Sequence, residues 1–156
     1  MSLAVVTDSA ACLTEPLLRD RAIEVVPLHA IPAENGEPGT TSRPSVQELM
    51  DAYRRAASRA EEVLAIPISS ALSGTMDNAR IAAAQLEAEY RTRPNGPGPS
   101  VGRRRPQWLR VVDSGTRSGA LGLAVLAASG APDARRGAAL DQARPRLLYT
   151  SPHPRD

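Results

Sequence analysis

The residues able to do chemistry in this sequence are mostly alcohols. They gather in Thr7-Asp8-Ser9, Thr40-Thr41-Ser42, Ser69-Ser70-Ala71-Leu72-Ser73-Gly74-Thr75 and Asp113-Ser114. The third segment is the sharpest. Gly74 lets the backbone approach a ligand closely. A helix is expected to begin there, and its free N–H groups and dipole favour an anion. The hydroxyls of Ser73 and Thr75 add side-chain donors. All 19 basic residues are Arg, and none is Lys. A site of hydroxyls and amides without lysine suits a singly charged carboxylate better than a triphosphate. The competing reading is that these Ser and Thr only cap helices, which is their commonest role.

Machinery for catalysis is thin. Gly115-Thr116-Arg117-Ser118-Gly119 does not have the spacing of a nucleophile elbow. The GxGxxG and GxxxxGK[ST] patterns are both missing. His29 lies in a Pro-flanked segment with no evident orienting partner, and His153 is near the end of the chain. Asp8 and Asp113 could share a metal, although turn capping is the simpler account. Cys12, beside Leu13, reads as a small core residue. One cysteine and two histidines exclude a zinc cluster and an internal disulfide framework. The pattern favours binding over catalysis, with no cofactor and no metal.

Alternating elements must position these turns. Apolar runs at 3–7, 24–28, 63–68 and 108–112 read as strands. Pro27 marks the second as a strand end or a sheet edge. Thr14 with Pro16 can open a short helix carrying Leu17 and Leu18 inward. Ser45-Val46-Gln47-Glu48 is a capping box, followed at helical spacing by Leu49, Met50, Tyr53 and Ala57. Further helices are expected over 74–90, with Met76, Ala79, Ala83, Leu86 and Tyr90 on one face, and over 117–129, stopped by Gly130. Residues 32–44, rich in Pro and Gly, read as loop. Residues 132–142 and 146–150 suggest one more helix and the start of a strand. Strands alternating with helices imply a parallel sheet covered on both faces, and such sheets bind ligands beyond the carboxyl ends of their strands.

The 156 residues suit one domain, or a domain and part of another. With 42% hydrophobic and 23% charged residues, the composition is that of a globular protein. Aromatics are only 3%, too few for a stacking platform on single-stranded nucleic acid. No apolar run suits a membrane span and no secretory signal is visible, so a cytoplasmic location is expected. The net charge of +2 hides an asymmetry. Residues 1–90 hold 7 Arg against 13 acids, and residues 91–156 hold 12 Arg against 4. Much of that positive charge falls in 92–107, a Pro, Gly and Arg-rich stretch that reads as a flexible insertion, and in the polar tail 151–156.

The same turns resemble the DegV family of fatty-acid-binding proteins. The matching stretches are Val5-Val6-Thr7-Asp8-Ser9-Ala10, Val26-Pro27-Leu28, Thr41-Ser42-Arg43-Pro44-Ser45, Ile68 through Thr75, and Val111-Val112-Asp113-Ser114, in the family's order. The pairing of TSxPS with SSxLSGT is specific. The likeness covers residues 3–150 and only the family's N-terminal domain. It implies an α/β fold, a mostly parallel sheet with helices on both faces, with the C-terminal domain missing and the chain truncated. That second domain would help to enclose the acyl chain and bring a basic and a His contribution.

The resemblance further implies a lipid-binding protein, not an enzyme, that holds one long-chain fatty acid by its carboxylate and presents it to a fatty-acid kinase subunit. Carried over, Thr41 and Ser73 are the carboxylate ligands, while Ser70, Gly74, Thr75 and Ser9 line or support the pocket. Two other readings remain open. One is a phosphoryl-transfer enzyme subunit using Asp8 and Asp113 for Mg²⁺. The other is a basic interaction module built on Arg103, Arg104 and Arg105.

Overall fold

The computed structural model describes residues 2–34, 36, 39–92 and 108–130. The expected elements at 132–142 and 146–150, all but Thr92 of the expected insertion 92–107, and the tail lie outside the described residues; Thr92 ends a helix.

β1 (Leu3–Asp8) is apolar and almost wholly buried. It leads through a 3-10 turn (Ser9–Ala11) and α1 (Glu15–Asp20) to β2 (Ile23–Val26). A hairpin follows, β3 (His29–Ile31) and β4 (Thr40–Ser42). Then come α2 (Val46–Ala57), β5 (Glu62–Ile66), α3 (Thr75–Thr92), β6 (Leu109–Val111) and α4 (Ser118–Gly130). The strands β2-β1-β5-β6 form one sheet in that order, every pair parallel. From β1 the chain first builds outward to β2, then returns past β1 to add β5 and β6. The order therefore reverses between β1 and β5, and the crevice at their carboxyl ends is where such sheets bind ligands.

Side-chain alternation along the strands builds two cores. Ala4, Val6, Val63 and Ala65 face α2 and α3, where Leu49, Tyr53, Ala79 and Leu86 meet them. Val5, Leu64 and Ile66 face the other way, toward Leu121, Val125 and Ala128 of α4. Helices thus cover both faces, as the pattern implied. Arg54 of α2 reaches Glu89 of α3 with two bonds of 2.8 and 3.1 Å, joining the helices on the first face. At the far end of α3, Tyr90 meets Trp108 edge to face, with ring centroids 4.9 Å apart. No helix among the described residues is long and apolar enough to cross a membrane.

Three local expectations are corrected. Residues 32–44 are not all loop, because Thr40–Ser42 pairs antiparallel with His29–Ile31, Thr41 opposite Ala30. The prolines and glycines there interrupt the connection rather than the ladder. Leu17 is exposed on α1 while Leu18 packs against the second core. Adjacent residues on a helix point about 100° apart, so α1 turns only one of the two toward the core. Cys12 is exposed, not core. It closes the 3-10 turn with φ of 53°, which turns its side chain out of the packed layer.

The two cores carry the stability. Leu86→Ala, at a position 1% exposed, is expected to cost about 2–5 kcal/mol. Leu123→Ala, on the outer side of α4 and 62% exposed, is expected to stay within about 0.5 kcal/mol. Urea unfolding of the two variants measures both.

Candidate functional site

Where parallel strands end, backbone groups lose their ladder partners and must find others. Side chains supply them here. The Asp8 carboxylate, 1% exposed, accepts the Ala10 N–H at 3.0 Å and the Ile68 N–H at 2.7 Å. One buried acid so joins the turn after β1 to the loop after β5. Burial raises its pKa, and the two N–H bonds pull it back down. Ser9 Oγ accepts the Leu28 N–H at 2.9 Å, fixing the exit of β2. Asp113 accepts the Ser70 hydroxyl, the Ser70 N–H at 3.2 Å and the Gly115 N–H at 3.0 Å. The Ser69 N–H donates to Thr116 O at 2.9 Å. Loops after β1, β2, β5 and β6 are thereby laced into one rim.

The β3–β4 hairpin brings Thr41-Ser42-Arg43-Pro44-Ser45 to the same rim. The Asn78 side chain, in the first turns of α3, donates to Pro44 O at 2.8 Å. Arg43 lies across Gly74: a Cβ added there would come within 3.0 Å of the Arg43 Cζ and 3.1 Å of its Cδ, and closer still to Nη1. The segment's far end is pinned by the capping box. Ser45 Oγ accepts the Glu48 N–H at 3.2 Å, and Glu48 Oε2 accepts the Ser45 N–H at 2.8 Å and the Ser45 hydroxyl at 2.7 Å. The other Glu48 oxygen sits 2.8 Å from His29 Nε2. His29 is in turn the ladder partner of Ser42. A single carboxylate holds both ends of the motif, and these bonds, Ser45 first and His29 after it, lower the Glu48 pKa to about 2.

His29 therefore has an orienting partner, which the sequence did not reveal. The arrangement is not a nucleophilic triad. In a triad the imidazole lies between acid and hydroxyl; here the carboxylate lies between Ser45 and His29. Asp8 and Asp113 are each engaged in holding turns, and no group of three or more His, Cys, Asp or Glu among the described residues could hold a metal ion.

The six residues singled out by sequence are placed differently from one another. Ser9 and Ser70 use their hydroxyls on Leu28 and Asp113. Thr75 is fully buried and its hydroxyl lies 2.8 Å from Ser73 Oγ. Ser73 also accepts the Thr75 N–H at 3.2 Å, just ahead of α3. Thr41 is exposed on β4, and Gly74 lies under Arg43. Beneath them, at the β1–β5 reversal, is a small cavity of about 10 Å³ lined by Thr7, Asp8, Tyr53, Pro67 and Thr75 among others. It has room for about one water, not for an acyl chain. Burial, and after it the charge of Asp8, pushes the Tyr53 phenol above its usual range.

Residues 29–153 match the family described as an uncharacterised protein of the DegV family. The chain belongs to the DegV family. DegV domain-containing proteins of Streptomyces coelicolor and Corynebacterium glutamicum are 31% and 34% identical, over 90% and 91% of this chain but 50% and 44% of their own lengths. The chain thus spans about half the length of these curated relatives. Among solved structures, a DegV family protein of Thermus thermophilus, described for its fatty acid binding, superposes with a TM-score of 0.73 at 26% identity. That match covers 93% of this chain and 54% of that one. A DegV family protein of C. glutamicum matches with a TM-score of 0.67 at 32% identity, over 94% and 49%.

Two tests probe the DegV rim. Asp8→Asn replaces one acceptor oxygen with a donor facing an N–H, and is expected to cost about 1–3 kcal/mol in urea unfolding. Glu48 has a folded pKa below its ordinary 4.5. Its stabilising contribution is therefore present above about 4.5 and lost as pH falls toward about 2. Melting temperature followed over that window should fall less steeply in Glu48→Gln than in the parent.

Proposed function

We propose that this rim is the headgroup half of a fatty-acid site, with Thr41 and Ser73 as the carboxylate ligands. The observation that carries this is the meeting of TSxPS with SSxLSGT at the carboxyl edge of the sheet, through Asn78 to Pro44 and Arg43 over Gly74. The fatty acid binding described for the T. thermophilus relative points the same way.

Hydrogen bonding at Ser73 supports the role. When the Thr75 hydroxyl donates to Ser73 Oγ, that oxygen already accepts the Thr75 N–H. The Ser73 proton is then free to point outward at an acid. Ser70, Thr75 and Ser9 support the pocket through the rim contacts and leave the ligand bonds to Thr41 and Ser73. Neutral donors order a carboxylate without a tight ion pair, so it stays releasable. That suits transfer to a fatty-acid kinase, which would move a phosphoryl group from ATP to a carboxylate oxygen and leave ADP. In that scheme the chain binds and presents but does no chemistry itself.

The acyl tail does not fit in the rim cavity. It has apolar surface to follow in Leu72, 52% exposed within SSxLSGT, and in Ile31 of β3, 47% exposed opposite Thr40 and beside TSxPS. An eight-methylene stretch left in water forfeits on the order of 6 kcal/mol, so affinity depends on how much of the tail is covered.

A thermal shift series from decanoate to stearate tests the reading. At about a hundredfold excess over Kd, a bound acid stabilises by roughly 2.7 kcal/mol, an upward shift of several degrees. Thr41→Val with Ser73→Ala is expected to abolish the shift; because Ser73 Oγ also serves the buried Thr75, the shift is read against the variant's own, lower unliganded melting temperature. A full shift in the double variant would remove these residues from the site.

A further inference from the structure

We infer that Arg43, the variable position of the TSxPS segment, supplies the cation that makes this site selective for an ionised headgroup. The inference rests on the fatty-acid reading and adds to it a specificity-determining residue, with the ligand class narrowed to single-chain lipids bearing an anionic head.

The placement of Arg43 is unusual for a surface arginine. Its Cδ, Cζ and Nη1 pack over Gly74, immediately before the first residue of α3. The amino end of a helix carries positive potential from its dipole and its free N–H groups. A guanidinium there is repelled, not attracted. Such a position is normally relieved by a carboxylate, yet Arg43 makes no ion pair among the described residues. Asp77, in the first turn of α3, is not paired with it, and the nearby Glu48 is occupied by Ser45 and His29. Positive charge, helix end and the Ser73 hydroxyl so converge on one spot, and although Asp77 lies in the same first turn, no carboxylate among the described residues is ion-paired with Arg43. An anion held by Thr41 and Ser73 would supply the balance.

Gly74 is what permits the arrangement. Its φ is not in the left-handed region, so the backbone does not require glycine. The three atoms nearest to a Cβ there all belong to the Arg43 side chain. Alanine at 74 therefore displaces the guanidinium without straining the main chain. Two different substitutions remove the same charge from the same place.

The test measures the affinity of the full chain for palmitate and for hexadecanol, at low and high salt, in the parent, Arg43→Gln, Gly74→Ala and the double variant. The parent should prefer the acid, and that preference should shrink with salt. Arg43→Gln should weaken palmitate roughly fivefold, as expected for a partly screened charge pair, with hexadecanol unchanged. Gly74→Ala should do the same, and the double variant should lose no more than either alone. If Arg43→Gln leaves the acid-to-alcohol ratio at the parent's value, Arg43 is overturned and the fatty-acid reading stands. If the parent binds neither ligand, both fall. If inorganic phosphate competes with palmitate in the parent but not in Arg43→Gln, the charge selects anions in general, which upholds the inference.

Discussion

Backbone groups at the end of a parallel sheet cannot stay unpaired once they are buried, and this constraint shapes the whole carboxyl edge. Asp8 meets it most directly. Its carboxylate lies in the interior and joins two turns sixty residues apart by accepting the N–H groups of Ala10 and Ile68. An ionised group so deep is unfavourable on its own, which is why its pKa rises. The two N–H donors offset that cost. The loop from Ile68 to Thr75 owes its course to this acid, and the start of α3 follows from the loop.

The remaining alcohols divide between structure and availability. Ser9 and Ser70 are consumed in lacing the rim. Thr75 is buried against Ser73. Thr41, on an exposed hairpin strand, and Ser73, half-buried just ahead of α3, are left. The hairpin is placed without any core of its own, since β3 is wholly exposed. It is held by Glu48, through His29 and Ser45, and by Asn78 and Gly74 against Pro44 and Arg43. Polar clamps, not apolar burial, set the geometry of this half of the site.

Much of this was legible in the sequence because it is periodic or chemically local. Alternation in Val5-Val6 and Leu64-Ala65-Ile66 separates the two cores. The capping box needs only Ser45 and Glu48 three residues apart. The β3–β4 pairing was not legible, because exposed three-residue strands carry no apolar pattern. Nor was the second use of Glu48. Its partner His29 lies nineteen residues away, and nothing in spacing links them. Cys12 was misread because adjacency to Leu13 says nothing of a left-handed turn. Arg43 stood in the quoted motif but at its variable position, and only the fold lays it across Gly74.

Titrating the isotopically labelled chain with palmitate and following its amide resonances shows whether the acid occupies the rim. Occupation of the rim predicts saturable shifts largest at Thr41, Ser73, Gly74 and Thr75, with the outer face of α4 unmoved. Saturable shifts confined to α4, or no shift at the four rim residues while the acid is bound, would contradict it.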